Sequence, residues 1–81
     1  MIELKQTCDI CPEQYDAYLD GKQVGYLRLR YGEFTVKFPN VSGDETYYHE
    51  FEDDWKGSFD SIEEREYFLN EARLAIEKQL R

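Results

Sequence analysis

Eighty-one residues suffice for one domain with a single small core, and seven Tyr, five Phe and one Trp exclude a disordered acidic chain despite a net charge of −8. The surplus is local: residues 1–40 carry −1, residues 41–66 carry −8 and residues 67–81 carry +1. A negative field concentrated in that way disfavours direct contact with nucleic acid and favours a basic partner.

In chain order, residues 1–13 form an N-terminal segment. Ile2 and Leu4 alternate weakly with polar neighbours, which suits a short edge strand or a frayed tail. Cys8 and Cys11 then stand two residues apart, half of a zinc knuckle. A closed site needs four ligands, and the chain offers no second pair and a single histidine, His49. A redox pair should open a helix, whereas Pro12 leads toward a strand. The first expectation is a reduced thiol pair and no bound metal or cofactor. Zinc shared between chains and a reversible disulfide stand beside it.

Residues 14–51 read as a four-stranded antiparallel sheet. Asp20-Gly21 separates two alternating runs, and Tyr31-Gly32 separates the second from a third. Asp-Gly is a strong hairpin signal, because a type I′ turn needs positive φ at both central residues. Alternation puts Tyr15, Ala17, Leu19, Leu27, Leu29, Phe34, Val36 and Phe38 on one face. Asp16, Tyr18, Tyr26, Arg28, Arg30, Thr35 and Lys37 fall on the other. After a loop of turn formers at 39–43, residues 44–51 give the fourth strand, with Tyr47, His49 and Phe51 on one side and Thr46, Tyr48 and Glu50 on the other. Without a nucleophile or a second histidine nearby, His49 reads as a strand residue rather than a base.

Residues 52–60 form an acidic loop with the single Trp, and their spacing lacks the ligand pattern of a calcium loop. Ser61 with Glu64 makes a capping box for a helix over 61–80. Ile62, Phe68, Leu69, Ala72, Ala75, Ile76 and Leu80 form one apolar stripe, which would cover the apolar sheet face. Tyr67 and Leu74 lie opposite it, either as incidental surface apolars or as a small partner-binding ridge. The expected fold is α+β: a four-stranded antiparallel meander with one C-terminal helix on one face, in a single domain. With no apolar run long enough for a bilayer and no leader, the expected location is the cytoplasm.

The strings Pro12-Glu13-Gln14-Tyr15-Asp16, Gly25-Tyr26-Leu27-Arg28-Leu29-Arg30 and Glu63-Glu64-Arg65-Glu66-Tyr67 resemble those of small proteins carried by bacteriophages and mobile elements. In size, acidity and α+β pattern the chain is similar in type to phage-encoded anti-defence proteins, the anti-CRISPR proteins among them. That resemblance implies a stoichiometric inhibitor rather than an enzyme, in some cases one that imitates the charge of DNA.

Two functional expectations follow. In the first, Asp44, Glu45, Glu50, Glu52, Asp53, Asp54, Asp60, Glu63 and Glu64 meet a basic, nucleic-acid-binding surface of a partner such as a defence nuclease. Trp55, Tyr47 or Tyr48 would supply aromatic anchors, with Tyr67 also among the partner-binding residues, since carboxylates can replace phosphates but do not make a desolvated core. The bland counterpart is an acidic segment that only keeps the protein soluble. In the second, Tyr18, Tyr26, Arg28, Arg30, Lys37 and Tyr48 on the open sheet face stack and pair with a nucleic acid or nucleotide. Cross-strand Tyr–Arg and Asp–Arg pairing explains those same residues without a ligand.

Overall fold

Both hairpins close through two-residue loops with positive φ at each central position: Asp20 at 53° and Gly21 at 82°, then Tyr31 at 53° and Gly32 at 74°. That geometry matches the twist of the flanking strands, so each run folds back on its predecessor. The computed structural model describes residues 1–8 and 12–81. It contains β1 (Glu3–Cys8), β2 (Glu13–Leu19), β3 (Lys22–Arg30), β4 (Glu33–Phe38), β5 (Asp44–Glu50) and α1 (Ile62–Leu80). The strands form one antiparallel sheet in sequence order, and the helix packs on one face of it.

The sheet therefore has five strands, not four. Leu4 lies opposite Ala17 and Gln6 opposite Tyr15, so the N-terminal segment completes the outer edge of β2. The weak alternation of Ile2 and Leu4 is enough, because an exposed β2 edge leaves backbone donors and acceptors that a neighbouring strand satisfies. Cys8 ends β1 and is half-buried, while Cys11 lies outside the described residues. Among the described residues, no cluster of three or more His, Cys, Asp or Glu side chains is placed to hold a metal.

The predicted faces are observed. Phe34, Leu27, Leu29, Val36 and Ile76 are the largest fully buried side chains, and Tyr47 and Phe51 pack against the same core. Each such side chain contributes about 1.5–3 kcal/mol on burial. Phe34, Phe59 and Phe68 form a ring cluster in which Phe59 and Phe68 stack at 5.6 Å. His49 lies against Phe51 and Phe68 as a ring in that cluster.

A bulge in β3 opposite Ala17 and Tyr18 turns both Val24 and Gly25 inward. A Cβ at Gly25 would collide with the end of the Ile76 side chain and crowd Ala17, so any larger residue there must push Ile76 aside where the helix crosses the sheet.

Ser61 caps the helix, its hydroxyl accepting from the Glu64 N–H at 3.0 Å. Glu64 reaches back to the Asp60 N–H at 2.8 Å, one residue earlier than a capping box predicts. Two members of the predicted stripe, Ile62 and Leu80, are exposed. The helix is about 28 Å long and β4 only about 20 Å, so its ends overhang and the buried residues are Phe68, Leu69, Ala72 and Ile76.

Candidate functional site

The segment after β5 is a strap rather than a loose acidic loop. It leaves Phe51, crosses the sheet end below β4 and β3, and reaches β2. Main-chain bonds pin it along the way: Phe51 N–H to Gly32 O at 2.7 Å, Gly32 N–H to Lys56 O at 2.9 Å, and Glu13 N–H to Gly57 O at 2.8 Å. Gly32 is required for this, because a Cβ there would lie 2.4 Å from Asp53 O. Asp53 Oδ1 accepts from the Trp55 N–H at 2.9 Å and its carbonyl accepts from Lys56 N–H at 3.1 Å, which sets the tip of the strap.

Below the strap lies a buried charge network that the sequence reading did not identify. Glu13 is 3% exposed and takes both Arg65 bonds, Nε to Oε2 at 2.7 Å and Nη2 to Oε1 at 3.2 Å. It also accepts from Tyr15 OH and, at 3.1 Å, from the Phe59 N–H. Burial alone would raise the Glu13 carboxyl; the bonds from Arg65, Tyr15 and Phe59 outweigh it and hold the group below its ordinary value. Tyr15, desolvated and donating to Glu13, is pushed up to about 12.

Lys56 is likewise buried, with Nζ 2.8 Å from Asp60, 3.1 Å from Glu64 and 5.0 Å above the Phe51 ring. Burial works against its charge, but the two carboxylates prevail and raise its pKa. A signal for Glu13 was present: it alternates in phase with Tyr15 and Ala17, and a carboxylate on a core face implies a buried partner.

The sequence-predicted acidic residues of the site divide into three groups. Glu52, Asp53, Asp54 and Trp55 share the exposed strap, with Glu50 at the adjoining end of β5 and Glu63 in the first helical turn. Asp60 and Glu64 are engaged by Lys56. Asp44 and Glu45 lie at the far end of β5, opposite Phe38 and Lys37, roughly 20 Å along the strand from Glu50. Tyr67 is exposed on the helix, its ring edge against Phe68.

Two residues join the strap group unforeseen. Tyr31 is 58% exposed and packs edge to face against Trp55, itself 80% exposed, with centroids 6.3 Å apart; Arg30 lies over the Tyr31 ring at 4.7 Å. Glu33 faces Glu50 across the β4–β5 ladder, a like-charge pair that costs stability. Partial desolvation and the carboxylates of Glu33, Glu50 and Glu45 hold the Tyr48 phenol above its usual range.

The open sheet face is ordered in rows. Lys5, Asp16, Tyr26, Lys37 and Glu45 are in register across the five strands, Gln14, Arg28, Thr35 and Tyr48 form a second row, and Arg30, Glu33 and Glu50 a third. Lys5, Arg28, Arg30 and Lys37 share that face with Asp16, Glu33, Glu45 and Glu50, so it has little net attraction for a phosphate chain. Tyr18 sits beneath Lys5 at 5.4 Å.

Fold and site thus define a class only, a small α+β protein with one exposed acidic, aromatic end. Compared with family models, curated proteins and solved structures, the chain matches none. Among the described residues no helix is long and apolar enough to cross a membrane.

Proposed function

We propose that this is a non-enzymatic binding protein that docks its strap end on the basic, nucleic-acid-binding surface of a larger protein and blocks it. The observation that carries this reading is the Trp55–Tyr31 pair, both rings exposed, Trp55 on the strap and Tyr31 on the β3–β4 turn to which main-chain bonds fasten it. A pinned aromatic pair gives contact area with little ordering cost on binding, which is the property of an interface anchor. Around it Glu33, Glu50, Glu52, Asp53, Asp54 and Glu63 supply the carboxylates that would replace phosphates against Arg and Lys. The Glu33–Glu50 apposition supports the same reading, since a partner's cation would relieve it.

The test is capture from a host lysate with wild type and with Glu52→Gln/Asp53→Asn/Asp54→Asn as bait, followed by displacement with duplex DNA. A basic protein retained by the wild type, released by DNA and lost from the triple variant is the expected result. Its binding rate should fall with salt more steeply for the wild type than for the variant, because screening removes what the variant lacks. Trp55→Ala should instead speed dissociation and leave the salt dependence unchanged. Equal capture by both baits at every salt concentration would reduce the acidic strap to a solubility feature.

A further inference from the structure

The two free edges of the sheet are not alike. β5 carries Asp44, Glu45 and Glu50 and runs into the acidic strap. β1 carries one acid and one base, Glu3 and Lys5, on either side of Leu4. Glu3, Lys5, Gln6 and Thr7 are exposed, and among the described residues β1 pairs with β2 alone. Its irregularity falls between Gln6 and Cys8, so the first part of the strand presents a regular ladder outward. The helix backbone lies over β3, β4 and β5 rather than β1, whose inward side chains Ile2 and Leu4 reach the core from the sheet margin. A regular, uncovered edge is a template for another strand.

We propose that β1 pairs antiparallel with β1 of a second copy, about a two-fold axis at Leu4, joining two five-stranded sheets into one. The register follows from the side chains. With both helices on the same side, opposed residues must point to the same face, so the axis falls on a residue of β1. Thr7 and Cys8 lie in its irregular stretch and an axis at Glu3 sets two carboxylates against each other, which leaves Leu4, Lys5 or Gln6. At Lys5 it sets two ammonium groups against each other. At Gln6 it brings the irregular stretch near Cys8 into the ladder, opposite Leu4.

At Leu4 it places Glu3 opposite Lys5 of the partner subunit twice over, and Leu4 on its own copy at the sheet margin. Opposite charges across a ladder stabilise it and like charges destabilise it. β5 is the poorer edge for this purpose, because self-pairing would bring three carboxylates on each strand against three more. The β1 edge is also roughly 19 Å from β5, about two Debye lengths at physiological salt, so repulsion between the acidic segments is largely screened.

Sedimentation equilibrium over about 5–500 µM should show the mass rising from 9.7 kDa toward twice that value. Glu3→Lys and Lys5→Glu should each weaken the dimer by about tenfold or more, and Glu3→Lys/Lys5→Glu together should restore it. Amide exchange on the wild type reads the same edge without any substitution: protection over Glu3–Gln6 should increase with concentration and that over β5 should not. A monomer at every concentration overturns the proposal. So does a dimer indifferent to the single exchanges, a double exchange that fails to restore it, or β1 amides unaffected by concentration.

Discussion

Glu13→Gln tests the network that joins the strap, the second strand and the helix. The substitution keeps the shape of the side chain and one acceptor, and turns an NH2 group toward the Arg65 guanidinium in place of a carboxylate oxygen. In the wild type Glu13 receives two bonds from Arg65, one from Tyr15 and one from the Phe59 N–H, all at a position 3% exposed. A desolvated charge-assisted bond contributes about 1.5–3 kcal/mol, and leaving one partner buried costs a similar amount. The Arg65 side chain is 37% exposed, so water takes over part of its loss; about 2 kcal/mol is the reasonable net figure.

At about 4–8 °C per kcal/mol for a domain this small, the melt should fall by roughly 8–16 °C at neutral pH. The pH dependence has a definite sign. Because the folded Glu13 carboxyl lies below its ordinary 4.5, the wild type's advantage is complete above that value and disappears as pH falls through the folded one. Paired calorimetric melts at neutral pH, at about pH 5 and at about pH 3 follow the gap directly. Coincident melts at neutral pH, or a gap that persists undiminished in acid, would falsify the reasoning.

Other perturbations probe separate contacts. Gly25→Ala should cost about 1–3 kcal/mol in urea, because its methyl would meet Ile76 Cδ1 at 2.4 Å; adding Ile76→Val should recover most of that, and a failure to recover would place the strain elsewhere. Gly32→Ala meets the backbone carbonyl of Asp53 at 2.4 Å with φ at 74°, so it should cost at least about 1 kcal/mol and alter Trp55 emission; an unchanged spectrum would mean the strap does not depend on that turn. Lys56→Met should cost under about 1 kcal/mol, since the Asp60 side chain is mostly in water. The wild type's margin over it is full below the ordinary lysine value of 10.5 and shrinks as pH rises through the raised folded value, which alkaline melts can follow. Arg28→Ala with Lys37→Ala, on the open sheet face away from the Tyr31–Trp55 pair, should leave partner capture intact, and abolished capture by a folded variant would move the binding surface to the open sheet face.

Local signals carried most of the fold. Asp20-Gly21 and Tyr31-Gly32 located two of the hairpins, and period-two alternation found the core-facing residues of β2 to β5, but it could not show the bulges that turn Val24 inward beside Gly25 and put Glu45 opposite Lys37 on the open face. β1 was weakly marked because an edge strand packs little of its surface, so Leu4 alone had to signal it. The helix bounds were legible, but the exposure of Ile62 and Leu80 was not, because an apolar stripe does not reveal where the sheet beneath it stops. The candidate site was less legible for a different reason. Composition marked residues 44–64 as acidic, but it could not show that Lys56 occupies Asp60 and Glu64 or that Asp44 and Glu45 stand at the other end of a strand. Those facts depend on contacts between residues far apart in the chain, as does the meeting of Tyr31 with Trp55.

The strap has an evolutionary consequence. It is fastened through main-chain groups of Gly32, Phe51, Lys56 and Gly57 and through the buried side chains of Lys56 and Phe59, whereas Glu52, Asp54 and Trp55 project outward. Attachment and display therefore fall on different atoms of the same ten-residue stretch. Backbone bonds are indifferent to which side chain a residue carries, so the outward positions can be exchanged with little penalty to the scaffold. A lineage facing a changing target, or a library built on this framework, could vary those positions while the five strands and the helix stay as they are.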